Sequence, residues 1–354
     1  MSKLTELQQS LSTLGLDGFL IAKAVNYRYL TGFSGTESYF LITPENAFLL
    51  TDSRNTEQAK AEAPDFQVLE FRKLTELLGE LRERYQLSRI GLEKEIITID
   101  VHEKLQGQVP GVEFVPVADP VADYRRVKST RELAKIRRAA GITDQAFLHI
   151  LDYLRPGLSE RDVALELEFY MRHQGAERIA FDFIVASGVR GAMPHGTASD
   201  KLLKSGEMVT MDIGCVYQGY NSDLTRTVFL GQPTERQLEI YNVVHNAQVE
   251  ALAALKPGAC CSEIDAIARG VIEKAGYGQY FGHGLGHGVG LEIHEGPRLS
   301  PQDDSILEAG MVVTVEPGIY IPDWGGVRIE DLVMLTPTGC EIISSSPKDI
   351  ITIQ

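Results

Sequence analysis

Four carboxylates and a run of histidines stand out, because each acid lies in an apolar, strand-like stretch where an uncompensated charge is costly to bury. Asp212 sits near the end of Val209-Thr-Met-Asp-Ile-Gly214, and Asp223 follows in Asn221-Ser-Asp-Leu-Thr-Arg226, after the turn-rich Tyr217-Gln-Gly-Tyr-Asn221. Residues 208–230 read as a β-hairpin, and the odd separation of the two aspartates sets them directly opposite each other on one face. Facing carboxylates repel unless a proton or a cation joins them; two exposed acids at a strand edge, or an aspartate capping a turn, are the plainer account. Glu316, in Val313-Thr-Val-Glu-Pro-Gly318, and Glu330, in Gly325-Gly-Val-Arg-Ile-Glu-Asp331, supply a second pair, with Glu330 on the returning strand as Asp223 is. Four converging acids need compensating positive charge, and two divalent cations about 3.5–4 Å apart provide it. Oxygen-rich donors with one imidazole suit manganese, cobalt or iron ahead of zinc.

The imidazoles cluster in Phe281-Gly-His-Gly-Leu-Gly-His-Gly-Val-Gly290 and in Leu291-Glu-Ile-His-Glu295. Glycine at every second position rules out a stable helix, so His283 and His287 are not a helical zinc face despite their i, i+4 spacing. Alternate glycines suit a strand or loop that approaches its neighbours closely, and His294 reads as part of the next strand. His195, in Met193-Pro-His-Gly196, is either a surface turn or a site group. Arg328 lies two residues before Glu330 and shares its face in a strand, where it either pairs with an acid or holds a ligating glutamate or a substrate carboxylate.

Elements that would position these groups repeat along the chain. Arg155-Pro-Gly157 and Lys256-Pro-Gly258 each close a helix and precede another, capped at Ser159-x-x-Asp162 and Ser262-x-x-Asp265. The strand ending in Asp212 matches the strand ending in Glu316 at nearly the same offset. A helix, helix, hairpin unit duplicated after about residue 125 would bring both acid pairs to one pseudo-twofold axis. The long helix opening this region starts at the capping box Ser129-Thr-Arg-Glu132. Before it, helical spacing over residues 4–14 and the strand-like GFLIA, YFLIT and AFLL give a separate α/β domain. The division expected is 1–123 and 124–354.

At 354 residues, with 44% hydrophobic and 23% charged side chains, the chain has material for two globular cores. Thirty-four basic against 49 acidic residues leave a net charge of −15, which repels nucleic acid and anionic membrane surfaces. The N-terminus lacks a signal-peptide pattern and no apolar run approaches the ~20 residues of a membrane span, so a cytoplasmic protein is expected. Cys215, Cys260, Cys261 and Cys340 lack metal or redox spacing and are expected to be reduced thiols.

MDIGCVYQGYNSDLTRT, GHGLGHGVGLEIHE, VTVEPGIYIP and GGVRIED together resemble the pita-bread metallopeptidase family, which includes Xaa-Pro aminopeptidase, Xaa-Pro dipeptidase (prolidase), methionine aminopeptidase and the metal-free creatinase. The resemblance spans nearly the whole chain. It implies an α+β fold in which a creatinase-like α/β domain precedes a pita-bread catalytic domain, and a homodimer. It implies two divalent ions per chain, manganese or cobalt before iron or zinc, held by Asp212, Asp223, His287, Glu316 and Glu330. By the same comparison Glu316 takes the proton of the attacking water, while His195, His283 and His294 bind substrate and steady charge, with Arg328 and Tyr320 in support. The substrates implied are small peptides with proline second. TGFSGTESYFLIT and TDSRNTEQA favour an aminopeptidase that tolerates longer chains; a prolidase restricted to dipeptides is the alternative, and a non-catalytic peptide- or partner-binding module a third.

Overall fold

The computed structural model describes residues 3–354, and the chain divides after Arg125 into two compact units, the second being Arg126–Gln354. In the first, strands β1 (Gly18–Ile21), β2 (Tyr39–Ile42), β3 (Ala47–Thr51), β4 (Gln67–Glu70), β5 (Arg89–Glu93) and β6 (Glu113–Val117) form one sheet in the order β4-β3-β2-β1-β5-β6. The central strands are apolar throughout because both faces are covered. Phe19 and Ile21 of β1 pack into one core with Phe40, Ile42 and Leu49, while Leu20 points to the other with Leu41, Phe48, Leu50 and Ile90.

The second unit carries the expected duplication. Its first half opens with helix Thr130–Tyr153, started by the capping box of Ser129 and Glu132, and continues through helix Glu160–His173 with a second capping box at Ser159 and Asp162. Each box satisfies otherwise orphaned helix-end groups, an effect of about 1 kcal/mol. The strands that follow are β7 (Arg178–Ile179), β8 (Ile184–Ser187), β9 (Met208–Ile213), β10 (Cys215–Tyr217), β11 (Tyr220–Asn221) and β12 (Leu224–Leu230). The second half repeats the plan with helices Glu235–Ala254 and Cys261–Lys274, then β13 (Gly286–Gly288), β14 (Glu295–Leu299), β15 (Val312–Val315), β16 (Gly318–Ile321), β17 (Gly325–Arg328) and β18 (Asp331–Leu335). Each helix pair buries its apolar stripe on its own strands, giving one core around Phe147, Leu167 and Met211 and another around Ile240, Ile264 and Val313.

One expected cap is absent. Helix Cys261–Lys274 has Cys260 at its N-cap with no side-chain hydrogen bond, and the Ser262 hydroxyl donates instead to Asp304 Oδ1 at 2.9 Å. The offset of 101 residues that relates the two Pro-Gly turns places Cys260, not Ser262, opposite the Ser159 cap. Asp265 is thereby released for another task, described below.

Candidate active site

The two acid pairs stand where paired strands of the two halves run out. In the first hairpin Gln218 and Gly219 carry the turn with φ of 48° and 83°, the two positive values of a tight type I′ turn. Val216 then pairs with Asn221, and Asp212 with Thr225. Asp212 and Asp223 are therefore diagonal neighbours on one face, not directly opposed: an odd separation gives the face, but the position of the turn sets the partner. In the second half Val315 pairs with Asp331 and Gly318 with Arg328, and this shared register sets Glu316 across from Glu330. Glu330 accordingly matches Thr225 rather than Asp223. The two counterparts touch, with Thr225 Oγ1 donating to Glu330 Oε2 at 2.7 Å.

All the predicted site residues except Tyr320 line a single cavity of about 810 Å³. At its floor, ligand atoms of Asp223, His287 and Glu330 lie within 4.8 Å of one another. His287 Nε2 is 3.3 Å from Glu316 Oε1 and 3.6 Å from Asp223 Oδ2. Arg328 Nη2 donates to Asp212 Oδ2 at 2.6 Å, whereas Asp212 Oδ1 is buried without a hydrogen-bond partner among the described residues. Glu330 and Asp223 are 1% and 5% exposed, deep enough that their charge cannot be relieved by water.

Burial, and then the neighbouring carboxylates, push Asp223 and Glu330 well above the usual carboxylate range. Burial also raises Asp212, against the opposing pull of Arg328. Glu316 goes the other way: burial would raise it, but the His287 hydrogen bond and the charges of His287, His283 and Arg328 hold it at about 2. Burial depresses His283 and His294, whereas Glu316 overcomes burial to raise His287. This set fits divalent cations. It offers an orphaned buried oxygen, two acids that resist ionisation for want of positive charge, and a single imidazole nitrogen aimed at the carboxylates.

Hydrogen bonds fix the imidazole tautomers. His287 Nδ1 lies 3.2 Å from the Gly288 carbonyl and must donate to it, so Nε2 is the nitrogen that faces the acids, carrying a proton toward Glu316 in the metal-free protein and offering a lone pair to a cation once that proton is lost. His283 Nδ1 likewise donates to the Gly284 carbonyl at 2.7 Å, so its Nε2 accepts from the Tyr320 hydroxyl at 2.8 Å. That hydroxyl in turn accepts from Arg328 Nη1 at 2.8 Å. Tyr320 thus stands behind the cavity in a chain from His283 through Arg328 to Asp212. His195 and His294 are exposed on the cavity wall. His294 occupies the bend just before β14, not the strand expected from the sequence.

The glycine run does what its alternation implied. A Cβ at Gly286 would stand 2.1 Å from the Thr314 carbonyl oxygen, and one at Gly288 would stand 2.4 Å from that of Gly296. Only glycine lets β13 pass between β14 and β15 so closely and present His287 to the acids. Asp265, freed from the expected cap, binds the Arg269 guanidinium at 2.9 and 3.0 Å and accepts the Leu285 N–H at 2.9 Å. Arg269 donates in turn to the carbonyls of Phe281 and His283, each at 2.9 Å. Sequence reasoning missed this brace, and Thr225, and Arg298 on the cavity wall. Arg298 follows His294 by four residues, a spacing that marks it as a candidate once His294 is placed.

Residues 134–337 match the family model described as Metallopeptidase family M24, and residues 3–127 match the Creatinase/Prolidase N-terminal domain. The chain belongs to metallopeptidase family M24. An uncharacterized peptidase of Bacillus subtilis, YqhT, is 47% identical over 99% of both chains. Among solved structures, an Xaa-Pro dipeptidase from Bacillus anthracis superposes with a TM-score of 0.96 at 42% identity, covering 99% of each chain. An X-Pro aminopeptidase from Thermotoga maritima gives 0.91 at 39% identity, covering 98% of this chain and 100% of that one. The fold is the creatinase-type N-terminal domain followed by the M24 pita-bread domain, and the enzyme is a metallopeptidase with a divalent metal cofactor. Among the described residues no helix is long and apolar enough to cross a membrane.

Proposed function

We propose that this M24 enzyme is a prolidase, hydrolysing the peptide bond of Xaa-Pro dipeptides, ahead of the aminopeptidase reading favoured by its N-terminal motifs. The observation that carries the reaction is the buried acid and imidazole cluster at the cavity floor. The dipeptide preference is supported by relatives that carry the dipeptidase name and by Arg298. Arg298 lines the cavity, its charge adds to burial and to His287 in depressing His294, and it makes no ion pair with any described residue. A free cation on that wall suits the free carboxylate of a C-terminal proline.

Two divalent ions, manganese or cobalt first, held by Asp212, Asp223, His287, Glu316 and Glu330, would polarise the scissile carbonyl and make water nucleophilic at neutral pH. Arg328 orients Asp212 through Oδ2 and leaves Oδ1 for ligation, and Thr225 does the same for Glu330 by binding Oε2. Glu316, ionised near neutral pH, is the acceptor for the proton lost by the attacking water. His294, kept neutral, donates a hydrogen bond to the oxyanion, and His195 contacts the substrate from the facing loop. His283, with both ring nitrogens engaged, supports Tyr320 and Arg328 instead of touching substrate. Proline after the scissile bond has no N–H and a fixed φ, so a site that reads shape and carboxylate suits it better than one that reads a backbone donor.

Two comparisons test this. Xaa-Pro should be cleaved, and Xaa-Pro-Yaa cleaved far more slowly; equal turnover of the tripeptide would return the assignment to aminopeptidase. Arg298→Ala should raise KM for the dipeptide by about 10- to 100-fold, the worth of a charged hydrogen bond, while leaving kcat nearly unchanged. An Xaa-Pro amide, lacking the carboxylate, should be indifferent to that substitution, and an equal loss on both substrates would remove Arg298 from recognition. Four free cysteines support a reducing, cytoplasmic setting, and the homodimer implied by the family is checked by light scattering.

A further inference from the structure

We infer that Glu160 is a positioning residue for catalysis, a single buried carboxylate that clamps both stems of the loop carrying His195. Glu160 is the first residue of helix Glu160–His173 and is fully buried. Its Oε1 accepts the backbone N–H and the hydroxyl of Ser187, both at 2.8 Å. Its Oε2 accepts the Ser199 hydroxyl at 2.7 Å and the Ser199 N–H at 3.2 Å, and also receives the Arg190 guanidinium. Ser187 ends β8 and Ser199 lies where the chain returns, so one carboxylate closes the excursion between them. The backbone completes the joint, with Glu160 N–H donating to the Lys201 carbonyl and Arg161 N–H to that of Ser199, each at 3.0 Å.

The first turn of the excursion is seated on β17, where Gly191 meets the Gly326 backbone, and its return is bridged to β8 at Ile184 and Thr197, so Glu160 joins the two stems at the base of a loop whose tip projects beyond these contacts. His195 is exposed in a turn at its tip, flanked by Pro194 and Thr197 on the cavity wall. Arg190 reaches across the loop, donating to the Thr197 carbonyl at 2.8 Å while its other nitrogen faces Glu160. The Pro194 carbonyl accepts from Arg328 at 3.4 Å, which ties the tip to the residue that orients Asp212. A buried acid with five donors, one of them an arginine that also reaches the Thr197 carbonyl, therefore helps fix where His195 stands relative to the acid cluster. Catalysis is sensitive to such placement, since about 1 Å of displacement can lower a rate by around 100-fold. The second half solves the same problem with Asp265 and Arg269, which brace the His283 loop.

The inference rests on the proposed contact of His195 with substrate, and its test separates the two. Glu160→Gln keeps one acceptor oxygen but turns an amide NH2 toward donors; Arg190→Lys keeps the charge and loses the fork. Each should lower kcat/KM on Xaa-Pro by about 10-fold or more, with metal content unchanged, and the losses should all but vanish when measured against His195→Ala, because residues acting through one another are not additive. Losses that multiply in full with His195→Ala, or no loss in either variant, would overturn the clamp. If Glu160→Gln fails to fold, Arg190→Lys carries the same cycle. A wild-type enzyme inert on every Xaa-Pro peptide would sink the proposed function instead. The clamp is then judged by hydrogen exchange: acceleration confined to residues 187–199 in Arg190→Lys supports it, and unchanged exchange there refutes it.

Discussion

Asp223→Asn and Glu330→Gln are each expected to abolish hydrolysis, by about 1,000-fold or more, while the protein stays folded. The charge stabilisation that a metal centre gives a transition state is worth several kcal/mol, and each 1.36 kcal/mol is tenfold in rate. Both acids lie at the cavity floor with His287, so a neutral amide removes a ligand without removing bulk. The fold survives because the lesion relieves repulsion: both groups are pushed well above the usual carboxylate range by burial and by the carboxylates around them. In metal-free protein, then, either variant should unfold at a higher temperature than wild type at neutral pH. Full turnover in either variant would refute these ligands, and a metal-free variant less stable than wild type would refute the repulsion.

Metal removal is the second large effect. Chelation should stop turnover, and manganese or cobalt should restore it, because the affinity of a folded site for its ion adds to stability by mass action. The metal-free protein should also acquire a pH dependence of known sign. Asp223 and Glu330 have raised folded pKa values, so the native state holds more protons than the unfolded chain above the ordinary carboxylate range. Their favourable contribution is fully present at acid pH and lost as pH rises through the raised values. His287, also raised, acts in the same direction, with its contribution lost as pH climbs past its folded value. Glu316 acts oppositely, but its contribution is lost only as pH falls toward about 2, outside the working range. Melting curves of chelated wild type between pH 5 and 8 should therefore fall with pH, and those of chelated Glu330→Gln should fall less. Parallel curves would show that the cluster is not the source.

Much of this site is legible in the sequence because its chemistry is local. An acid inside an apolar strand and a histidine between glycines announce themselves wherever the chain takes them. The duplicated Pro-Gly turns gave the architecture, since each marks a helix end by backbone constraint alone. Partnership was harder. Asp212 was set against Asp223 because parity fixes only a face, and two positive φ angles at Gln218 and Gly219 decide the pairing. Ser262 has the spacing of a cap, yet the cap position falls two residues earlier, at Cys260, and Asp265 serves Arg269. Glu160 and Thr225 left no local mark, because their partners lie 27 to 39 and 105 residues away in the chain. Buried polar networks of this kind are specified by tertiary packing, which periodicity does not report.

The close passage of β13 between its neighbours bears on how this enzyme can change. With a Cβ at Gly286 or Gly288 forced into a carbonyl oxygen, the strand presenting His287 tolerates not even alanine, so random variation there would yield only dead proteins. Ser300 and Gln302 line the same cavity past the end of β14, beyond that squeeze. Selection for new peptide substrates, in nature or in the laboratory, has its free positions on that wall, while the glycine strand stays frozen.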